Sequence, residues 1–170
     1  MFLAVDVHYT QNQATAAGIS FDSWQAKTPL NQYITQVNKL APYEPGKFYK
    51  RELPCILSLL QEHSLHAECI VIDGFVFLDG HTSPGLGKYL YDALQEKTTV
   101  IGVAKNLFMD IDDKYTVYRG NSRKPLYVSA VGIDLAVAQH HIKNMHGSYR
   151  IPTLLKKVDQ LSKGIKNDDA

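Results

Sequence analysis

The chain has 170 residues, of which 45% are hydrophobic and 21% charged, and its formal net charge is +1. That composition suits one globular domain with a full core, and so balanced a charge announces neither a nucleic-acid nor a membrane partner. No apolar run approaches the roughly 18 residues a membrane span needs, and Met1-Phe-Leu-Ala-Val enters a strand pattern directly, so a signal peptide is not expected and a cytoplasmic protein, most simply a monomer, is.

Residues 2–9 read as a first strand, 13–21 as a second and 32–37 as a third, joined by short polar links that suit an antiparallel meander. Pro42-Tyr-Glu-Pro-Gly46 is a loop by composition. The period then changes: Leu53, Ile56, Leu57 and Leu60 fall at i, i+3, i+4 and i+7, which predicts an amphipathic helix from about Lys50. Residues 68–73 form a buried strand that ends in an acid, 74–87 are rich in turn formers, and 88–94 look helical. Thr98–Ala104 is a continuous apolar strand, as in a sheet covered on both faces. A polar hairpin follows, with arms at 115–118 and 125–129, and two helices at about 134–145 and 153–163 close the pattern. An antiparallel meander joined to a βαβ half gives an α/β fold, a mixed sheet flanked by helices. The domain is expected to span residues 1–163, with 164–170 as a frayed tail.

Three carboxylates stand where each is locally expensive. Asp6 lies inside the first strand, Asp73 closes the run Cys69-Ile-Val-Ile72, and Glu52 opens the first helix. An acid among β-formers costs several kcal/mol unless something pairs with it, and three such acids suggest a shared cation. Mg²⁺ takes oxygen ligands and keeps several waters, so one or two carboxylates plus substrate phosphates suffice to hold it. The alternatives stay open on spacing alone: Asp6 could pair with a lysine, Asp73-Gly74 is also a plain turn, and Asp79 ends a second apolar run and competes with Asp73. The basic residues Arg150, Lys156, Lys157, Lys163 and Lys166, against one acid at Asp159, form either a solvated helix face or a strip facing phosphates, and Lys114, Arg119, Arg123 and Lys124 make a looser second group. Cys55 and Cys69 read as reduced core thiols. No histidine, including His63, His66, His140 and His141, has zinc spacing.

In order along the chain, Ala4-Val-Asp-Val-His-Tyr9, Pro42-Tyr-Glu-Pro-Gly46, Arg51-Glu-Leu-Pro54, Val71-Ile-Asp-Gly74, Ile101-Gly-Val-Ala-Lys105, Lys124-Pro-Leu-Tyr-Val-Ser129 and Tyr149-Arg-Ile-Pro152 resemble the landmarks of the endonuclease V family. The resemblance implies a ribonuclease H-like fold and Mg²⁺-dependent cleavage, with Mn²⁺ as a substitute, of DNA or RNA near a deaminated base, chiefly inosine. It implies that Asp6, Glu52 and Asp73 hold the metal and that Lys105 is the active-site lysine. Tyr43, between Pro42 and Gly46, would sit in a wedge that separates strands, a role that suits an aromatic ring able to replace a base in the stack. Arg150 and Lys156 would contact the nucleic acid.

The chain also departs from the family pattern. The helical arm that usually precedes the first strand is missing, and the stretch between Lys105 and Lys124 is short. The usual Ala-His-Pro step is replaced by Phe75-Val-Phe-Leu-Asp-Gly-His-Thr-Ser-Pro84, and the usual Pro-Gly-His by Ala130-Val-Gly132. Asp134 nearby is a further candidate carboxylate for the metal, or else an N-cap for the helix behind it. These changes touch the base pocket more than the metal triad. They keep two rivals in view: a nuclease with the same metal site and another substrate structure, and a nucleic-acid-binding module that does not cut.

Overall fold

The computed structural model of the chain describes residues 1–165. They form β1 (Phe2–Tyr9), β2 (Ala14–Phe21), β3 (Asn31–Val37), α1 (Tyr49–Glu62), β4 (Cys69–Asp73), α2 (Leu86–Ala93), β5 (Thr99–Ala104), a 3-10 turn (Asp113–Tyr115), β6 (Thr116–Val117), β7 (Leu126–Val131), α3 (Leu135–Lys143) and α4 (Thr153–Ser162). This is the succession that periodicity predicts. Most of the frayed tail expected from residue 164 lies outside the described residues. Gly164 and Ile165 still belong to the turn that ends α4, donating to the Leu161 and Gln160 carbonyls. Among the described residues no helix is long and apolar enough to cross a membrane.

The seven strands make one sheet in the order β3-β2-β1-β4-β5-β7-β6. The meander pairs antiparallel, Phe2 opposite Phe21 and Ala14 opposite Val37. Each crossover through a helix then returns the chain parallel, so β4 runs beside β1 and β5 beside β4. β7 turns back antiparallel to β5, and β6 caps that edge.

Alternate strand residues feed two cores, as the pleat requires. Leu3, Val5, Ile70 and Ile72 pack beneath α1 and α2 against Ile56, Leu59 and Leu90. Ala4, Val71, Ile101 and Val103 pack on the other side against Ile142 of α3 and Leu154 and Val158 of α4. Residues 69–72 are buried throughout, which is why β4 reads as an unbroken apolar run. Far from the acids, Trp24 stacks on Phe2 at 4.8 Å and on His141 at 4.5 Å, so that histidine is a ring in an aromatic stack.

One residue of the second basic group is not on the surface. Arg119 is only 4% exposed. Its guanidinium donates to five main-chain carbonyls, those of Lys143, Met145, Gly147, Tyr149 and Arg150, at 2.6–3.3 Å. Burial alone lowers its pKa. The carbonyls, including one at the end of α3 where the helix dipole favours a cation, take the place of a counter-ion. The bend between α3 and α4 is thereby built around one side chain.

Candidate active site

Three parallel strands finish at one edge of the sheet, and their register aligns the acids. Val5 pairs with Ile72 and Asp73 with Val103, so Asp6 stands one step on, level with Asp73, while Lys105 follows β5 directly. Asp6 shares the face of Ala4 and Asp73 that of Val71, the side covered by α4. From α4, Ser162 Oγ donates to Asp6 Oδ2 at 3.0 Å. Lys105 Nζ lies 3.1 Å from Asp73 Oδ2 and 3.9 Å from Asp159 Oδ1, and Lys163 Nζ lies 3.0 Å from Asp159. Asp159 is thus a fourth carboxylate at the site, one that sequence reasoning treated only as an interruption in a basic run. The available signal was its place beside Val158, on the margin of the buried stripe of α4.

Glu52 reaches the same edge from the opposite face, on the first turns of α1. With Asp6 and Asp73 it lines one small cavity walled by Val5, Ile56, Ile72 and Leu86. Burial pushes the Glu52 carboxyl up to about 8, with repulsion from Asp6 and Asp73 adding to it. Burial and then Asp73 push Asp6 up to about 7, against the Ser162 hydrogen bond. For Lys105, burial works to lower the pKa but is outweighed by Asp73, Asp159 and Asp6, so the amine is held protonated.

The donor set fits a hard divalent cation. Every candidate ligand is a carboxylate oxygen, and the Glu52 carboxylate has no hydrogen bond or ion pair among the described residues. No three His, Cys, Asp or Glu side chains among those residues close into a cage by themselves. An ion that keeps its waters and is completed by substrate phosphates needs no such cage.

The competing acids fall elsewhere. Asp79 sits in the turn after β4, where its carboxylate accepts the amides of His81, Thr82 and Ser83 and the Thr82 hydroxyl. Those bonds hold its pKa well below the usual carboxylate range. Asp134 is removed from the site by strand direction. Ala104 pairs with Tyr127 and Val100 with Val131, so β7 leads away from the acids and Asp134 begins α3 at the far edge of the sheet.

Two grooves meet at Lys105. The first is lined by Phe48, Tyr49, Phe75, Phe108 and Gly74, and it takes in Glu52, Asp73 and Gly46 as well. Gly46 has φ +74, a conformation costly for any residue with a side chain, and it turns the loop of Pro42 and Tyr43 into α1. Tyr43 is 58% exposed, its ring 6.0 Å from that of Phe48. The turn after Asp73 is held by close contact: a Cβ added at Gly102 would stand 2.6 Å from the Gly74 carbonyl oxygen, and Ser129 Oγ accepts the Val76 amide at 2.9 Å. The second groove is lined by Asn121, Ser122, Ser148, Tyr149 and exposed Lys156, and shares Lys105 and Asp159 with the site. Arg150, expected to face nucleic acid, lines this groove as well, half-buried and with its guanidinium tied to main-chain carbonyls. It donates to the Pro125 carbonyl at 2.8 and 3.2 Å and to the Lys105 carbonyl, fixing the backbone that carries the lysine.

A mixed sheet of this order, with helices on both faces and acids on the first and fourth strands and the first helix, defines a ribonuclease H-like nuclease, a hydrolase acting on phosphodiester bonds. Residues 1–117 match the family model for endonuclease V. The chain is 28% identical over 183 residues to the endonuclease V of Rippkaea orientalis, covering 93% of this chain and 77% of that one. It is also similar to the crystal structure of endonuclease V from Streptomyces avermitilis, with a TM-score of 0.78, 26% identity and coverage of 96% of this chain and 79% of that one. The Ciona intestinalis endonuclease V, solved in complex with a 24mer DNA containing an inosine followed by a ribo-adenosine, shares the fold with a TM-score of 0.78 at 20% identity, covering 96% of this chain and 84% of that one. The chain belongs to the endonuclease V family, whose members are generally metal-dependent.

Proposed function

We propose that this protein is an endonuclease that hydrolyses DNA or RNA beside a deaminated base, inosine or deoxyinosine, using Mg²⁺ or, in its place, Mn²⁺. The observation that carries this reading is the strand register that sets Asp6 level with Asp73, with Glu52 lining the same cavity and Lys105 ion-paired to Asp73. Asp6, Glu52 and Asp73 hold the cation, with Asp159 beside them. When bound, the cation supplies Lewis-acid stabilisation of charge at the phosphate and lowers the pKa of water. Lys105, kept protonated, offers its charge to the phosphate oxygens as they gain negative charge. Ser162 orients the Asp6 carboxylate and Arg150 the backbone of Lys105. Tyr43, on its loop between Pro42 and Gly46, enters the base stack as strands part, and the aromatic groove behind it receives the displaced base. Lys156 meets the sugar–phosphate backbone. The catalytic domain takes in residues 1–163 and works as a monomer in the cytoplasm.

A second reading is favoured by one observation: among the described residues no histidine lines the aromatic groove beside the acids. The same metal site would then act on another nucleic-acid structure without reading inosine. The test is cleavage of labelled single- and double-stranded oligonucleotides with one deoxyinosine or inosine, and of unmodified controls, in Mg²⁺, Mn²⁺ and EDTA. Metal-dependent cutting beside the modified base, lost in Asp6→Asn, supports the first reading. Cutting without base preference supports the second. Binding without cutting under any condition overturns both and leaves a binding module.

A further inference from the structure

Tyr149 is 79% exposed, more than any other large hydrophobic side chain among the described residues. Single exposed rings are common on proteins and need no explanation. What sets this one apart is its mounting. Its own carbonyl accepts Arg119 Nη1 at 2.6 Å, and the next residue, Arg150, ties the segment to Pro125 and Lys105. Thr153 N donates to the His146 carbonyl at 2.9 Å, and a Cβ at Gly120 would meet the Ser148 carbonyl oxygen at 2.1 Å, so the backbone is packed against its neighbours as well. Two arginines immobilise the base of a ring that itself stands in water. A rigid aromatic loses little freedom when something stacks on it, which is the arrangement that favours binding.

The surroundings indicate the occupant. The groove beneath the ring is continuous with the site through Lys105 and Asp159, and its other lining is Asn121, Ser122, Ser148, Arg150, Ile151 and Lys156. Uncharged hydrogen-bonding groups and a lysine are what sugar and phosphate require, and a ring in the open is what a base requires. Resting on the nuclease reading above, we propose that Tyr149 is the stacking platform for an unpaired base of the cleaved strand, on the opposite side of Lys105 from the aromatic groove, with Lys156 on an adjacent phosphate. Stacking is indifferent to sequence because every base has a π-face. The subsite therefore demands an unpaired nucleotide there and not a particular one, which makes local strand opening on that side part of substrate choice.

The experiment is fluorescence anisotropy with labelled single-stranded oligonucleotides containing one inosine, in EDTA to prevent cutting. One abasic nucleotide is walked along both sides of the inosine, and wild type is compared with Tyr149→Ala and Tyr149→Phe. Tyr149→Ala is expected to weaken binding roughly tenfold and Tyr149→Phe to retain it, as stacking needs the ring and not the hydroxyl. One abasic position should weaken wild type by the same factor and leave Tyr149→Ala unaffected, the non-additivity of two groups in contact. Wild-type affinity in Tyr149→Ala, or losses that add at every abasic position, would overturn the platform while leaving the nuclease reading intact. A wild type that binds none of these oligonucleotides and cuts none of them in Mg²⁺ or Mn²⁺ overturns both.

Discussion

Replacing Asp6 by asparagine should make the metal-free protein more stable at alkaline pH, while on the proposed function it should abolish cutting. The Asp6 carboxyl is raised from 3.8 to about 7 by burial and by Asp73. A group whose pKa is raised on folding contributes its full stability below the unfolded value and loses it as pH climbs through the folded one. At about 1.4 kcal/mol per unit, holding Asp6 ionised costs on the order of 4 kcal/mol above pH 7 relative to pH below 4. Asparagine carries no charge at any pH and keeps an oxygen to accept the Ser162 hydroxyl. With repacking losses, a net gain of about 2 kcal/mol is expected at pH 8.5, roughly 4–8 °C in Tm for a chain of this size. At pH 4 the charge contribution has nearly vanished and the repacking loss remains, so Asp6→Asn should melt a few degrees below wild type there. Divalent cation should then reverse the order at pH 8.5, since it binds and stabilises only a folded state that retains its carboxylates. Thermal unfolding followed by circular dichroism, in EDTA and in saturating Mg²⁺, measures all of this. An Asp6→Asn protein that melts below wild type in EDTA at pH 8.5 would refute the argument, because the carboxylate would then be paired rather than strained.

Four more outcomes follow from the same geometry. Lys105→Met removes the cation between Asp73 and Asp159, and single-turnover cleavage should slow by on the order of 10²–10³-fold, as for loss of a charge-stabilising donor. Metal affinity, read by titration calorimetry with Mn²⁺, should rise with pH up to about 8, where Glu52 ionises, because bound carboxylates must shed their protons. Arg119→Met leaves five carbonyls without their donor and should cost about 3 kcal/mol or more in urea unfolding, with faster amide exchange at 145–150; Arg119→Lys should rescue little, since an ammonium cannot fork to five partners. In Gly102→Ala the new methyl meets backbone rather than a flexible side chain, so about 2 kcal/mol of stability should be lost together with most activity, as the displaced carbonyl belongs to the residue after Asp73.

Local pattern carried the elements because propensity and tertiary demand agree in them. The unbroken apolar stretch at 69–72 is a strand covered on both faces, and Leu53, Ile56, Leu57 and Leu60 mark a helix with one buried side. The expense of Asp6 inside such a strand was visible without any structure. What sequence spacing could not supply was direction. Asp134 follows a strand as Asp73 does, yet β7 runs against β5 and delivers it to the other end of the sheet. Asp159 and Arg119 were obscured differently. Each sits in a run of charges that reads as surface, and only the docking of α4 and the bend before it turn one toward Lys105 and bury the other.

The bond from Ser162 to Asp6 joins residues 156 positions apart. Contacts of that span form late, because the loop they close is long. A growing chain that has completed every strand already carries Asp6, Glu52, Asp73 and Lys105, but not the helix that orients the first of these and brings Asp159 to the last. The carboxylate cluster proposed to do the cutting is therefore complete only after α4 has left the ribosome and docked.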